Sequence, residues 1–174
     1  MCAPRADAHS EAATRTHRAS ELKERIYVAF TALAVIIALR AHDQHPTAGL
    51  ALGTLAITVA ATICAVYVAG LLSHMVVHAR LPATSEHRHM IIGTLGAGAV
   101  AIPPLVCLML ASAGLYDTAT GLLAAMLVTI ATLAAVGLLA VRRLSVPRAQ
   151  RIAILAAESV LAVAVIALEL LSHR

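Results

Sequence analysis

Apolar segments alternate with short polar stretches along most of the 174-residue chain. A helix that crosses a membrane needs roughly 20 predominantly apolar residues. The pattern predicts spans at about residues 22–40, 48–77, 90–115, 118–141 and 152–171. The first apolar stretch, residues 26–39, is short, so it spans only if Arg25 and Arg40 extend their charged ends to the two interfaces. We therefore predict an all-α integral membrane protein, with residues 20–174 forming a bundle of five transmembrane helices.

Residues 1–19 precede the first span and are polar or small, with no hydrophobic periodicity. Such a segment cannot bury enough apolar surface to compensate for the entropy lost on ordering. We predict a disordered tail over these residues.

The positions of Lys and Arg predict the orientation of the bundle. With five crossings, eleven basic residues fall on one side: Arg5, Arg15, Arg18, Lys23, Arg25, Arg80, Arg88, Arg142, Arg143, Arg148 and Arg151. The opposite side has two, Arg40 and Arg174. Because cytoplasmic loops carry the excess of Lys and Arg, we predict a cytoplasmic N-terminus and an outside C-terminus in the plasma membrane.

Composition supports a membrane protein and disfavours two other classes. The chain is 60% hydrophobic and 13% charged, whereas soluble domains are about 45–50% apolar and about 25% charged. The net charge of +4 does not indicate nucleic-acid binding, because aromatic residues make up only 2% of the chain and stacking surfaces are therefore few. Signatures of soluble catalysis, such as GxSxG and HExxH, are absent from the sequence. We predict that the protein is not an enzyme and does not bind nucleic acid.

Glu158 lies within the fifth apolar segment, six residues after Ile152. An ionised carboxylate is costly at that depth, and such residues usually face a bundle interior or a water-filled cavity. One interpretation is a titratable group on an ion or proton pathway. The other is a protonated glutamate that serves helix packing only.

A pair of histidines marks the predicted cytoplasmic end of the second span. His74 and His78 are four residues apart, so they share one helix face. They suit a proton relay, because histidine titrates near neutrality, or a transition-metal site if a third ligand arrives from Glu86, His87 or His89. They also suit a simple interfacial position. One interpretation brings them together with Glu24, Arg25 and Glu158 in a vestibule that faces the cytoplasm. The other explains Glu24 and Arg25 as charges at a helix end, where Glu21 and Arg25 form an i, i+4 pair.

The third segment contains the features of a close-packed and interrupted helix. Gly93, Gly96 and Gly98 allow a neighbouring helix to approach closely. Pro103 and Pro104 fall near mid-span, where each removes a backbone donor, and they predict a kink.

Two motifs resemble those of a group of small multi-pass membrane proteins from actinobacteria. Arg25, Ile26 and Tyr27 match an Arg-Ile/Leu-Tyr entry to span one, and His74 and His78 match a His-x-x-x-His exit from span two. The resemblance covers about the first half of the chain. It implies a five-span topology and no activity.

Two functions remain open at the level of sequence. In the first, the protein is a small channel or transporter for protons or small cations, in which Glu158 is the gate and His74, His78 and Arg25 line the pathway. In the second, it is a non-catalytic accessory or scaffold subunit of a larger membrane complex. Both predict the lipid bilayer and either a second copy or another membrane subunit as partners. No cofactor is predicted apart from a transition metal at the histidine pair.

Overall fold

The computed structural model describes residues 4–41, 46–142 and 156, with side chains described for residues 19–41, 46–140 and 156. The helices are α1 (Pro4–Ala41), α2 (Ala48–His78), α3 (Thr84–Gly98), α4 (Ile102–Ser112) and α5 (Thr118–Arg142), with a 3₁₀ turn at Ala99–Ala101. Within these ranges the chain forms helices and no strands, as the sequence predicts.

Three helical stretches are long and apolar enough to cross a membrane: Ala48–His78, Thr84–Ser112 and Thr118–Ala140. They correspond to the second, third and fourth predicted spans. Large apolar side chains cover their outer surface, with Ile57 73% and Val76 84% exposed. An exposed apolar surface of this extent suits lipid rather than water. The protein is a helical membrane protein.

The first and fifth predicted spans are not among these three stretches. Residues 22–40 are helical within α1, but Arg25 and Arg40 bound their apolar stretch, and α1 is not among the three apolar stretches found in the described residues. The segment 152–171, with Glu158, lies outside the described residues except for Ala156.

The N-terminal residues differ from the predicted disordered tail. The structure continues α1 back to Pro4, so residues 4–19 are helical. Residues 4–19 include five alanines, and alanine has the highest intrinsic helix propensity. Proline is tolerated in the first helical turn because its missing N–H has no helical partner there. The absence of hydrophobic periodicity therefore does not exclude a helix here, because intrinsic helix propensity does not depend on it.

Local hydrogen bonds determine where the second helix begins and ends. The backbone N–H of Leu50 donates to the Thr47 hydroxyl at 3.3 Å, which caps the start of α2. At the other end, Ala79 adopts a left-handed conformation (φ 50°) and its N–H donates to the carbonyl of Met75 at 2.9 Å. This conformation turns the chain out of the helix. It therefore sets the direction of the loop toward α3.

The third span is interrupted where the sequence predicts a kink. The 3₁₀ turn ends at Ala101, and Pro103 and Pro104 fall in the first turn of α4. Neither proline can donate a hydrogen bond to the preceding turn, so α3 cannot continue unbroken through this position. Ala101 and Pro104 are buried, which places the interruption inside the bundle.

The core of the bundle lies around α1, which contacts α2, α3 and α5. Its buried residues recur at helical spacing: Val28, Ala29, Ala32, Leu33 and Ile36. Leu55 of α2, Leu108 of α4 and Ala125 of α5 pack in the same cluster and are 0% exposed. Helix α1 is thus the centre of the described bundle, and the small residues Ala29 and Ala32 on its buried face let neighbouring helices approach closely.

Candidate functional site

A cavity of about 570 Å³ opens between α1, α2 and α3 at the end of the bundle where α2 stops and α3 starts. Helix α1 contributes Glu21, Lys23, Glu24 and Tyr27 to its lining, α2 contributes Tyr67, His74 and His78, and α3 contributes His89 and Met90. Most of these side chains are polar, whereas the neighbouring surface of the bundle is apolar. The cavity is therefore the candidate functional site.

The two histidines of the predicted site are in direct contact. The ring centroids of His74 and His78 are 4.5 Å apart and the rings are tilted by 47°. The His74 side chain is only 15% exposed, whereas His78 is exposed. The i, i+4 spacing thus places both rings on the cavity side of α2, one at its wall and one at its mouth.

His74 faces a carboxylate from the neighbouring helix. Its Nε2 atom lies 3.6 Å from Oε2 of Glu86, beyond hydrogen-bond distance. The same Nε2 atom is buried and has no hydrogen-bond partner among the described residues.

Glu86 holds the turn between α2 and α3 together. Its carboxylate accepts hydrogen bonds from both terminal nitrogens of Arg80, at 2.8 and 2.9 Å, and from the backbone N–H of Ala83 at 2.7 Å. Residues 84–89 are polar and precede the apolar segment that begins at Met90, so this carboxylate lies outside the span. The hydrogen bonds from Arg80, then that from Ala83, lower the pKa of Glu86 from 4.5 to about 2.

A second polar contact joins α2 to α3 beside the cavity. The Tyr67 hydroxyl lies 2.9 Å from Nε2 of His87, and the two rings meet edge to face with centroids 5.7 Å apart. The sequence assigns no partner to Arg80, and it offers His87 only as a possible third metal ligand. The structure instead gives both of them partners, because the hairpin brings residues 6 to 20 positions apart within reach.

Of the predicted pathway residues, two line the cavity, one lies outside its described lining, and one lies outside the described residues. His74 and His78 line the cavity together with Glu24, as the vestibule hypothesis requires. Arg25 is exposed and is not among the described lining residues; its Nη2 atom lies 3.9 Å from the position that a Cβ on Gly96 would occupy. Glu158 lies outside the described residues, so its role as a gate stays a prediction.

The metal hypothesis finds no third ligand in the described part of the chain. No group of three His, Cys, Asp or Glu side chains there is placed to hold a metal ion. Glu86 Oε2 lies 3.6 Å from His74 Nε2, and the Glu86 oxygens already accept hydrogen bonds from Arg80 and Ala83. The described residues therefore do not support a metal site at His74 and His78.

Sequence reasoning missed Glu21 and Tyr27 as members of the site. Glu21 is explained locally as an i, i+4 partner of Arg25, yet it lines the cavity beside Glu24. The available signal was the spacing of Glu21, Glu24 and Tyr27, which places all three on one helix face.

Comparison with known proteins identifies the family. A family model described as "Mechanosensitive ion channel inner membrane domain 1" matches residues 9–164, which is most of the chain. No curated protein and no solved structure matches. The description agrees with the predictions of a membrane protein, a channel-like role and no enzymatic activity. The chain belongs to the family of mechanosensitive ion channel inner membrane domain 1.

Proposed function

We propose that the protein forms a membrane channel for protons or small cations, with the cavity between α1, α2 and α3 as its cytoplasmic vestibule. The observation that carries this proposal is the meeting of Glu24, His74 and His78 in the lining of one cavity, beside a predominantly apolar core. Membership of an ion-channel family supports the same function.

The proposed topology has five spans, a cytoplasmic N-terminus and an outside C-terminus, in the plasma membrane. Eleven of the thirteen Lys and Arg residues then lie on the cytoplasmic side. Thiol labelling of intact cells tests it. In a cysteine-free background, Ser85→Cys is expected to react only after permeabilisation, and Thr118→Cys is expected to react from outside.

The proposed pore lies between copies in a homo-oligomer. Ala32, Ile36, Leu55 and Leu108 fill the interior of the described bundle and are fully buried. A close-packed apolar interior of this kind leaves no aqueous path along the centre of the part of the bundle that the structure describes. Residues that conduct are therefore expected to face a neighbouring copy or the vestibule.

Within this function, we propose that Glu158 is the titratable gate and that His74 and His78 relay ions or protons to it. Arg25 is proposed to contribute positive charge near the entrance. We also propose that the chain shares its origin and topology with small actinobacterial membrane proteins, because its Arg25–Tyr27 and His74/His78 motifs resemble theirs.

Flux through liposomes under osmotic downshift tests the proposal. The purified protein is expected to raise proton or K⁺ flux above that of empty liposomes, and Glu158→Gln is expected to change that flux. Asp117→Asn is the matched control, because it removes one carboxylate charge from the opposite side of the membrane. Equal flux in wild type and Glu158→Gln would exclude the gating role. Absence of flux in wild type would favour the alternative, an accessory or scaffold subunit.

A further inference from the structure

Helix α1 has an arginine at each end of its apolar stretch. Arg25 and Arg40 flank residues 26–39, and their backbones are separated by about 22 Å along a helix. The hydrocarbon core of a typical bilayer is about 30 Å thick. In the proposed topology α1 crosses the membrane, so both charges lie within the hydrocarbon region unless their side chains reach outward or the bilayer becomes thinner.

The arginine at the outer end does not reach outward. Arg40 Nη1 donates to Sδ of Met126 at 3.8 Å. Met126 lies eight residues after Thr118, the first residue of α5, which is about 12 Å along that helix. The guanidinium group is therefore held beside the apolar part of α5 and not beside Asp117 at its polar end.

The arginine at the inner end lies at a similar depth. Arg25 Nη2 is 3.9 Å from the position that a Cβ on Gly96 would occupy. Gly96 lies six residues after Met90, where the apolar segment of the third span begins, which is about 9 Å along a helix. The sequence predicts that both arginines extend to the interfaces, whereas the structure places both guanidinium groups beside apolar segments of neighbouring helices.

Neither charge is neutralised within the part of the chain that the structure describes. Among those residues, no carboxylate lies within ion-pair distance of Arg25 or Arg40, and the thioether of Met126 is a weak acceptor. Both arginine side chains are exposed. An arginine inside a bilayer is costly, and the cost falls when headgroups and water are drawn in and the bilayer thins locally.

We propose that phospholipid phosphates bind Arg25 from the inner leaflet and Arg40 from the outer leaflet, so that the bilayer beside α1 is thinned to about 22 Å. A guanidinium group presents five N–H donors in a geometry that suits phosphate oxygens. Thinning of the bilayer is one way in which a membrane accommodates a short apolar span. The inference rests on the proposed topology but not on ion conduction, and the thiol labelling and flux experiments test those two separately.

Thermal unfolding of the full chain in nanodiscs tests the thinning. Loss of helical circular dichroism gives the unfolding midpoint in phosphatidylcholine with myristoleoyl, oleoyl or erucoyl chains, in order of increasing thickness. Thickening is expected to lower the midpoint of wild type more than that of Arg25→Leu/Arg40→Leu, because only wild type holds headgroups deep beside α1. Arg88→Leu is the matched control, since Arg88 precedes the apolar segment of the third span, and it is expected to behave as wild type does. The same dependence on thickness in wild type and the double variant would overturn the proposal.

Bilayers without phosphate identify the ligand. Digalactosyldiacylglycerol forms bilayers whose headgroup carries no phosphate. With matched acyl chains, wild type is expected to unfold several degrees lower in this lipid than in phosphatidylcholine. Arg25→Leu/Arg40→Leu is expected to show a smaller difference, and Arg88→Leu a difference close to that of wild type. If the double variant does not fold, Arg40→Gln takes its place.

Two outcomes of the lipid comparison would overturn the proposal. One is an equal midpoint of wild type in the two lipids, or an equal difference in wild type and the double variant, which would mean that phosphate does not bind these arginines. The other is recovery of the wild-type midpoint when inorganic phosphate is added to the galactolipid, which would identify a free anion, and not a lipid, as the ligand.

Discussion

Glu86 and Arg80 form a two-point ion pair across the turn between α2 and α3: Arg80 Nη1 donates to Oε2 at 2.9 Å and Nη2 donates to Oε1 at 2.8 Å. The Ala83 N–H donates to the same carboxylate, and His74 lies beside it. One side chain therefore connects the end of α2, the loop and the first turn of α3.

Glu86→Gln is expected to loosen this turn. The amide keeps one acceptor oxygen but loses the charge and the two-point geometry that Arg80 requires. Backbone hydrogen exchange at residues 80–86 is expected to rise several-fold. Arg80→Gln is expected to produce a similar rise, and the double variant little more than either, because both changes remove the same ion pair. Unchanged exchange in Glu86→Gln would contradict this role.

The turn is also expected to respond to acid in a defined window. Since the folded pKa of Glu86 is about 2 and its ordinary value is 4.5, its contribution to stability is complete above pH 4.5 and is lost as pH falls toward 2. The ¹³C shift of the Glu86 carboxyl carbon is expected to titrate near pH 2. In Arg80→Gln the midpoint is expected to rise toward 4.5. A wild-type midpoint near the ordinary value would refute the ion pair in solution.

Gly121→Ala is expected to destabilise the contact between α4 and α5. A Cβ there would lie 2.7 Å from the Ala111 Cβ and 3.2 Å from the Tyr116 ring, neither of which can rotate away freely. Overpacking of this kind costs about 1–3 kcal/mol, which unfolding in mixed SDS micelles would measure.

Gly53→Ala is the control for that variant. Among the described residues, no atom outside the adjacent backbone of α2 lies within 4 Å of a Cβ at Gly53. This alanine is therefore expected to be neutral or to stabilise α2 by about 0.5–1 kcal/mol through helix propensity. Equal effects at Gly53 and Gly121 would mean that propensity, rather than packing, determines the outcome.

Leu55→Ala is expected to lower the free energy of unfolding more than Ile57→Ala does. Leu55 is 0% exposed in the core, whereas Ile57, two residues along the same helix, is 73% exposed. Truncating Leu55 leaves a cavity whose walls lose packing contacts. In the cores of soluble proteins, Leu→Ala substitutions lower the free energy of unfolding by about 2–5 kcal/mol. We expect the low end here, because lipid contributes no hydrophobic driving force between helices. Similar losses for the two variants would place Leu55 at the lipid surface.

Much of the architecture could be predicted from the chain. The apolar runs that become α2, α3 with α4, and α5 are long, and their boundaries follow from polar residues such as Thr47 and Asp117. The interruption before Pro103 follows from the missing N–H donors, which is a property of the residue itself. Hydropathy could not show that residues 4–19 are helical, because their sequence has no hydrophobic periodicity.

The sequence by itself determined the class of protein, the three strongest spans and the placing of His74 and His78 on one helix face. These depend on hydrophobic length and on the 3.6-residue period, both of which are local. Only the tertiary structure decided that α1 is central, that Glu21 and Tyr27 join the histidines at one cavity, and that Arg80 pairs with Glu86. Those relationships depend on how the helices pack and on the direction in which Ala79 turns the chain, and no local pattern specifies either.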